Sequence, residues 1–187
     1  MLIGVVGLNG SGKDTVAEHL VSKHGFAHKD LGQEIRDALK ALGMDYLDRG
    51  VMIAFANKQR QELGFNYWCK RAIDSLESKD IVITSIRNPS EVDEILSRGG
   101  NIIEVYADQK VRFDRTVERV KKDPKLHGDV QSFDEFKKKE EMELTSTDPA
   151  KQQLLKCISM AQHRLSNNGS FEDLYVQIEE LFPKLKK

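Results

Sequence analysis

Leu2-Ile3-Gly4-Val5-Val6-Gly7-Leu8-Asn9-Gly10-Ser11-Gly12-Lys13-Asp14-Thr15 opens on a short apolar run that stops at Gly7. A run of that length, halted by glycine, suits a strand buried on both faces of a parallel sheet. The residues that follow fit G-x-x-x-x-G-K, through Gly7, Gly12 and Lys13. Glycines in such a loop let backbone N–H groups turn inward around phosphate oxygens without a Cβ in the way. A helix starting near Lys13 would add the positive end of its dipole. The lysine itself would place a cation on the β and γ phosphates. Strand, loop and helix are the context the motif needs. Gly7, Asn9, Gly10, Ser11, Gly12, Lys13, Asp14 and Thr15 are therefore the candidate nucleotide-binding residues. Asp14 stands where a serine or threonine is usual. Either its carboxylate or the Thr15 hydroxyl would ligate Mg²⁺, which prefers oxygen donors.

Outward from this loop, residues 13–24 read as a helix, with Val16, Leu20 and Val21 on one face. A short strand is expected at Phe26 to Lys29 and a helix at 31–42 through Leu31, Ile35, Leu39 and Leu42. Helices at about 49–63 and 66–78 are separated by Gly64. Asp80 to Thr84 is a second buried strand. Asn88, Pro89 and Glu91 then open a helix with a cap, a proline at the first position and an acid in the first turn. A strand at Asn101 to Tyr106 and a helix at 109–122 precede a polar stretch, 123–131. Ser132 and Glu135 form a capping box for a charged helix. Asp148 and Pro149 are read as the start of another helix, and Gln162 to Ser166 as a last strand. Ser170 and Asp173 start the closing helix, which ends near Pro183. Strands alternating with helices imply a three-layer α/β fold around a parallel sheet. Such sheets present ligands at the carboxyl ends of their strands.

The 187 residues fit one compact domain, 1–187, and 39% hydrophobic with 32% charged residues is a globular profile. A formal net charge of −1 supplies no overall positive field, which argues against a nucleic-acid partner. The two cysteines, Cys69 and Cys157, match no zinc or redox spacing and read as reduced thiols in or near the core. A reducing, cytoplasmic compartment is the expectation. Met1 to Val6 is too short for a signal peptide or a membrane span, so no membrane partner is expected.

With Gly10-Ser11-Gly12-Lys13-Asp14-Thr15 in view, the chain resembles the P-loop nucleotide kinases over nearly its whole length. The loop is similar to the variant found in phage deoxynucleoside monophosphate kinases. Asp80 to Tyr106 resembles the strand, arginine, helix and strand of that branch. It also resembles archaeal proteins related to adenylate kinase and dephospho-CoA kinase, which are similar too over Gly128-Asp129, Phe133 to Glu140, Asp148-Pro149 and Asn167 to Ser170. The resemblance implies a P-loop NTPase fold with a helical acceptor-binding insertion at about 31–79 and a short lid at about 119–145. ATP would be the donor and Mg²⁺ the metal. The acceptor would be a small-molecule nucleotide, foremost a nucleoside or deoxynucleoside monophosphate.

Residue by residue, the resemblance gives Arg36 and Arg87 the acceptor phosphate, and Arg115 and Arg119 the donor phosphates. Asn168 and Gly169 would pack on the donor base. Lys13, Arg87, Arg115, Arg119 and Asp30 form the candidate catalytic set. The residue types agree, because phosphoryl transfer needs alignment and neutralised charge, which bidentate arginines supply. Arg87 follows a strand end, where parallel sheets hold ligands. One feature departs from the branch: Thr84 and Ser85 stand where an acid often ends the strand before the arginine. Asp14 and Asp30 are then the carboxylates near metal or acceptor, and Asp30 serves equally as a helix N-cap. Tyr67 and Trp68 read either as a stacking surface for the acceptor base, with Trp68 substrate-binding, or as core of a helical hairpin. His24 and His28 read as surface or turn residues. His127, Lys121, Lys122, Lys125 and Lys137 to Lys139 are solvated or frame the lid. Two other functions remain open: a dephospho-CoA kinase-like activity, with Asp30 as general base, and a nucleotide-binding sensor without transfer. The protein would be a monomer or homodimer.

Overall fold

Side chains alternate between the two faces of each strand, and burial of the central strands on both faces lets one sheet serve two helical layers. The computed structural model describes residues 1–122, 132–144 and 148–186. Five strands, β1 (Leu2–Val6), β2 (Ala27–Asp30), β3 (Ile81–Thr84), β4 (Asn101–Tyr106) and β5 (His163–Ser166), form one sheet in the order β2-β3-β1-β4-β5. All its pairings are parallel, with Gly4 opposite Ile83 on one side and Ile102 on the other. Ile3, Val5, Val82, Ile103 and Val105 point to one face and pack on α1 (Lys13–His24) and α9 (Phe171–Leu181) through Val16, Leu20, Leu174 and Ile178. Val6, Ile81, Ile83 and Ile102 point to the other face. There they meet α4 (Tyr67–Asp74), α5 (Pro89–Ser97) and α8 (Leu154–Ser159). This is the expected three-layer α/β arrangement.

Between β2 and β3 the chain runs through α2 (Leu31–Ala41), α3 (Arg49–Leu63) and α4. These three helices share a small core of Ile35, Leu39, Ala56 and Trp68. After β4 come α6 (Gln109–Lys122) and α7 (Phe133–Leu144). They pack through Phe113, whose ring lies 5.2 Å from Phe133 and 5.7 Å from Phe136. The polar stretch 123–131, with His127, Lys125 and Gly128-Asp129, lies outside the described residues.

Several local expectations change. Val21 is 39% exposed and Leu42 62% exposed. The buried stripe of α1 is instead Val16, Ala17, His19 and Leu20. Leu42 is the C-cap of α2, past its last buried turn. Helix α4 ends at Asp74 rather than near 78. Asp148 and Pro149 begin a turn, not a helix. The Asp148 side chain accepts from Ala150 N at 3.0 Å, and its carbonyl accepts from Gln153 Nε2 at 2.9 Å. Gln153 N donates to Arg87 O at 2.8 Å, which holds this segment against the end of β3 before α8 can start. Both cysteines are buried, and burial, the largest influence on each, pushes the Cys157 thiol up to about 12 and raises that of Cys69 further. Among the described residues, no helix is long and apolar enough to cross a membrane.

Candidate active site

The loop between β1 and α1 adopts a conformation that only glycine accepts at its key points. Gly10 (φ 77°) and Gly12 (φ 100°) lie in the left-handed region. A Cβ on Gly10 would sit 2.6 Å from Arg112 O, and one on Gly12 would sit 2.1 Å from Asn167 Nδ2. Gly12 is the N-cap of α1 and offers no side-chain hydrogen bond. The N-caps Asp30, Asp48, Asn88 and Ser170 all cap their helices with a side chain. The first N–H groups of α1 are thus left available to an anion, together with the helix dipole. Ser11 Oγ is buried without a hydrogen-bond partner among the described residues.

The loop opens onto a cavity of about 560 Å³ at the carboxyl edge of the sheet. Asn9, Lys13 and Asp14 line it from the loop side, and Asp30, Arg36, Arg87 and Arg119 from around the rim. The far wall comes from α2, α3 and the connection between them: Ile35, Leu47, Met52, Ile53 and Ala56, with Arg49 and Arg60. The cavity therefore joins a cluster of cations to an apolar wall.

Asp30 caps α2 and also lines the cavity. Its Oδ1 accepts from Gln33 N at 2.7 Å and caps α2, while its Oδ2 accepts from Ser85 Oγ at 2.6 Å and Thr84 Oγ1 at 3.1 Å. Burial raises its carboxyl, but the bonds from Ser85, Gln33 N and Thr84 outweigh that and hold it below the ordinary range. At the end of β3, where no acid stands, the hydroxyls of Thr84 and Ser85 hold a carboxylate from the neighbouring strand. His28 is exposed on β2, as expected of a surface residue, and is hydrogen-bonded. Its Nε2 lies 2.8 Å from Thr84 Oγ1, whose proton is already given to Asp30, so the imidazole donates. Ser85 has φ 59°, the one non-glycine positive φ among the described residues. Strain of this kind persists where surrounding contacts over-determine it.

Arg87 is held by its backbone. Its N–H donates to Glu91 Oε2 at 2.9 Å, alongside Asn88 N at 3.0 Å. The other oxygen, Glu91 Oε1, accepts from Arg60 Nε at 3.1 Å and Nη2 at 2.8 Å. Arg60 is 2% exposed and Glu91 0%. This buried pair ties α3, which walls the cavity, to the turn that carries Arg87. The sequence showed Glu91 only as a first-turn acid.

The pair expected on α6 divides. Arg119 lines the cavity, whereas Arg115 lies outside that lining and donates through Nη2 to Asn167 Oδ1 at 3.3 Å. Arg115 Nη1 is buried without a hydrogen-bond partner among the described residues, and burial lowers its pKa. Asn167, not foreseen, donates from Nδ2 to Ser11 O at 2.7 Å and so clamps the loop. Its neighbours Asn168 and Gly169 are exposed. Asn168 Oδ1 accepts from Asp108 N at 2.7 Å, which joins the loop after β5 to the start of α6. Arg112, also unforeseen, reaches Asn9 O at 3.3 Å and Ala107 O at 2.9 Å, and pairs with Glu140 of α7. Such residues are invisible to motif reading because their partners lie far along the chain.

Trp68 is a correction. It is fully buried, and its Nε1 donates to Ala56 O at 3.4 Å. The eight residues of α4 bury Trp68, Cys69, Ala72 and Ile73 on one side, so the indole faces the insertion core rather than a ligand. It supports the wall from behind, through Ile35 and Ala56. Of the two metal candidates, Asp14 lines the cavity and Thr15 does not. Asp14 and Asp30 both line the cavity with Lys13 and are oxygen donors of the kind Mg²⁺ prefers.

Lys13 donates to Leu8 O at 3.0 Å. Burial, then Arg87, lower its pKa to about 7, with Asp14 and Asp30 opposing and Arg119 adding to the fall. Phosphate favours the ammonium form, so binding reverses the shift. At about pH 8 the free lysine is mostly neutral, and ATP binding is expected to take up about one proton, falling towards none at about pH 6. Calorimetry in buffers of different ionisation enthalpy measures this uptake, which should vanish in Lys13→Met.

This fold and this loop define a P-loop protein: a parallel sheet in the order described, a glycine-rich loop leading into a helix without a side-chain cap, and a cavity lined by several cations. Residues 3–146 match an AAA domain family, and the chain belongs to that family. It is similar to a UPF0200 protein of Thermoplasma volcanium, 25% identical over 183 residues that cover 96% of this chain and 95% of the relative. A UPF0200 protein of Thermococcus gammatolerans is 28% identical over 196 residues, 99% of this chain and 95% of the relative. Among solved structures, the shikimate kinase of Acinetobacter baumannii in complex with shikimate has a TM-score of 0.58 at 21% identity, covering 98% and 93% of the two chains. The shikimate kinase of Bacteroides thetaiotaomicron has a TM-score of 0.60 at 18% identity, covering 98% of each. These structures share the fold.

Proposed function

We propose that the protein transfers the γ-phosphoryl group of ATP to a nucleotide-like acceptor, foremost a nucleoside or deoxynucleoside monophosphate. One observation carries this reading: Lys13, Arg36, Arg87 and Arg119 converge in a single cavity whose far wall, beside Arg49 and Arg60, offers the apolar Ile35, Leu47, Met52, Ile53 and Ala56. The cations suit a donor triphosphate and an acceptor phosphate, and Ile35, Leu47, Met52, Ile53 and Ala56 suit the flat face of a base. The loop and the uncapped end of α1 would cradle the donor phosphates, with Ser11 and Asn167 fixing the loop. Mg²⁺, held through Asp14 and water, would neutralise charge on the β and γ oxygens. Arg87 and Arg36 would hold the acceptor phosphate in line, with Arg119 closing on the transferring group and Arg115 supporting the loop from outside. Alignment and charge stabilisation suffice for such a transfer, without a covalent enzyme intermediate. Incubation with Mg·ATP and a panel of monophosphates, dephospho-CoA and shikimate tests it. Phosphorylated monophosphate is the expected product, and nucleotide binding without any product would favour a sensor.

A hydroxyl acceptor is the second reading, favoured by the ionised Asp30 carboxylate in the cavity wall. Dephospho-CoA, or an alcohol of the kind bound in the shikimate kinase structure, would use it as general base. Asp30→Asn separates the two, because asparagine keeps the N-cap of α2. We expect turnover with a monophosphate to fall less than about tenfold, whereas loss of a general base costs about 10²–10⁴-fold.

A further inference from the structure

Helix α1 begins at the phosphate loop and ends twelve residues later, about 18 Å away, at a second cluster of chemistry-bearing side chains. There His19 Nε2 and His24 Nε2 approach the same oxygen, Glu179 Oε1 of α9, at 2.6 and 2.9 Å. The three groups offer ligand atoms that all lie within 4.8 Å of one another. Packing holds both rings in place. His19 stacks on Tyr175 with centroids 4.5 Å apart, and His24 stacks on Phe182 at 3.7 Å. His19 is buried, while the Glu179 side chain is 50% exposed and leaves an open side to solvent. Two packed imidazole rings and one half-exposed carboxylate are a three-ligand donor set that faces solvent on one side.

We propose that His19, His24 and Glu179 bind one divalent transition-metal ion of the zinc type. Zinc–ligand bonds of about 2.0–2.2 Å in tetrahedral array need donor atoms roughly 3.3 Å apart. The two nitrogen–oxygen distances, 2.6 and 2.9 Å, are shorter than that and all the donor atoms lie within 4.8 Å of one another, so binding would need the half-exposed carboxylate to move outward and the rings to adjust to the ion. On binding, each ring would turn its Nε2 lone pair to the ion in place of its hydrogen bond to Glu179. Imidazole with carboxylate suits zinc, cobalt or nickel and discriminates against Mg²⁺, which the phosphate loop would use. The buried Cys69 and Cys157 offer no competing thiolate, since burial raises both. A bound ion would clasp the carboxyl end of α1 to α9 and stabilise the fold by mass action.

The test is Zn²⁺ titration of the nucleotide-free full chain against a chromophoric chelator, with thermal unfolding alongside. One ion per chain and a metal-dependent rise in Tm are expected. Glu179→Gln and His24→Gln, both at the rim and checked for folding by circular dichroism, should each weaken binding by at least about a hundredfold. Asp14→Asn should leave it unchanged, which separates this site from the phosphate loop. Co²⁺ should give low-coordinate visible bands in the wild type that His24→Gln lacks. Equal zinc binding by wild type and His24→Gln, or no stoichiometric binding, would overturn the proposal.

Discussion

Lys13→Ala is expected to lower kcat by about 10³-fold or more, the scale seen when a charge-stabilising group is removed from phosphoryl transfer. The fold should survive. The Lys13 ammonium makes one bond, to Leu8 O at 3.0 Å, and lies close enough to Arg87 and Arg119 for both to depress its pKa. Its removal forfeits one hydrogen bond of about 1 kcal/mol and relieves repulsion from Arg87 and Arg119 only where the amine is protonated, below about pH 7. Steady-state kinetics and thermal unfolding on the same preparation decide the matter. A kcat within tenfold of wild type would remove Lys13 from the reaction.

Glu91→Ala is expected to cost about 3–5 kcal/mol of stability, because it leaves a buried charge without its partner. Arg60, 2% exposed, would keep a guanidinium facing an empty site, and the Arg87 and Asn88 N–H groups would lose their shared acceptor. Replacing both members, Arg60→Met with Glu91→Leu, should recover much of the loss, since an apolar pair carries no desolvation penalty. Urea unfolding measures both. A loss below about 1 kcal/mol for Glu91→Ala would show that the pair is not structural. Whatever fold remains in the double variant should bind acceptor less well, because Glu91 also orients the turn that carries Arg87.

The sequence by itself determined the elements whose cause is local. Gly10 and Gly12 occupy backbone conformations that side chains resist, so the phosphate loop is legible in their spacing. Asn88, Pro89 and Glu91 cap α5 as a capping box, and short, nearly continuous apolar runs become the buried strands β1, β3 and β4. These effects act within a few residues, so a linear reading finds them. Only the tertiary structure decided which polar groups meet at the carboxyl edge of the sheet. Asp30 meets the hydroxyls at the end of another strand, Asn167 clamps a loop 156 residues away, and Glu91 joins Arg60 across 31 residues. It also turned Trp68 into the core, placed Arg119 in the cavity and Arg115 behind the loop, and brought His19, His24 and Glu179 together. Each depends on how sheet register and helix packing orient distant side chains, and on desolvation that exists only once the chain has closed around them.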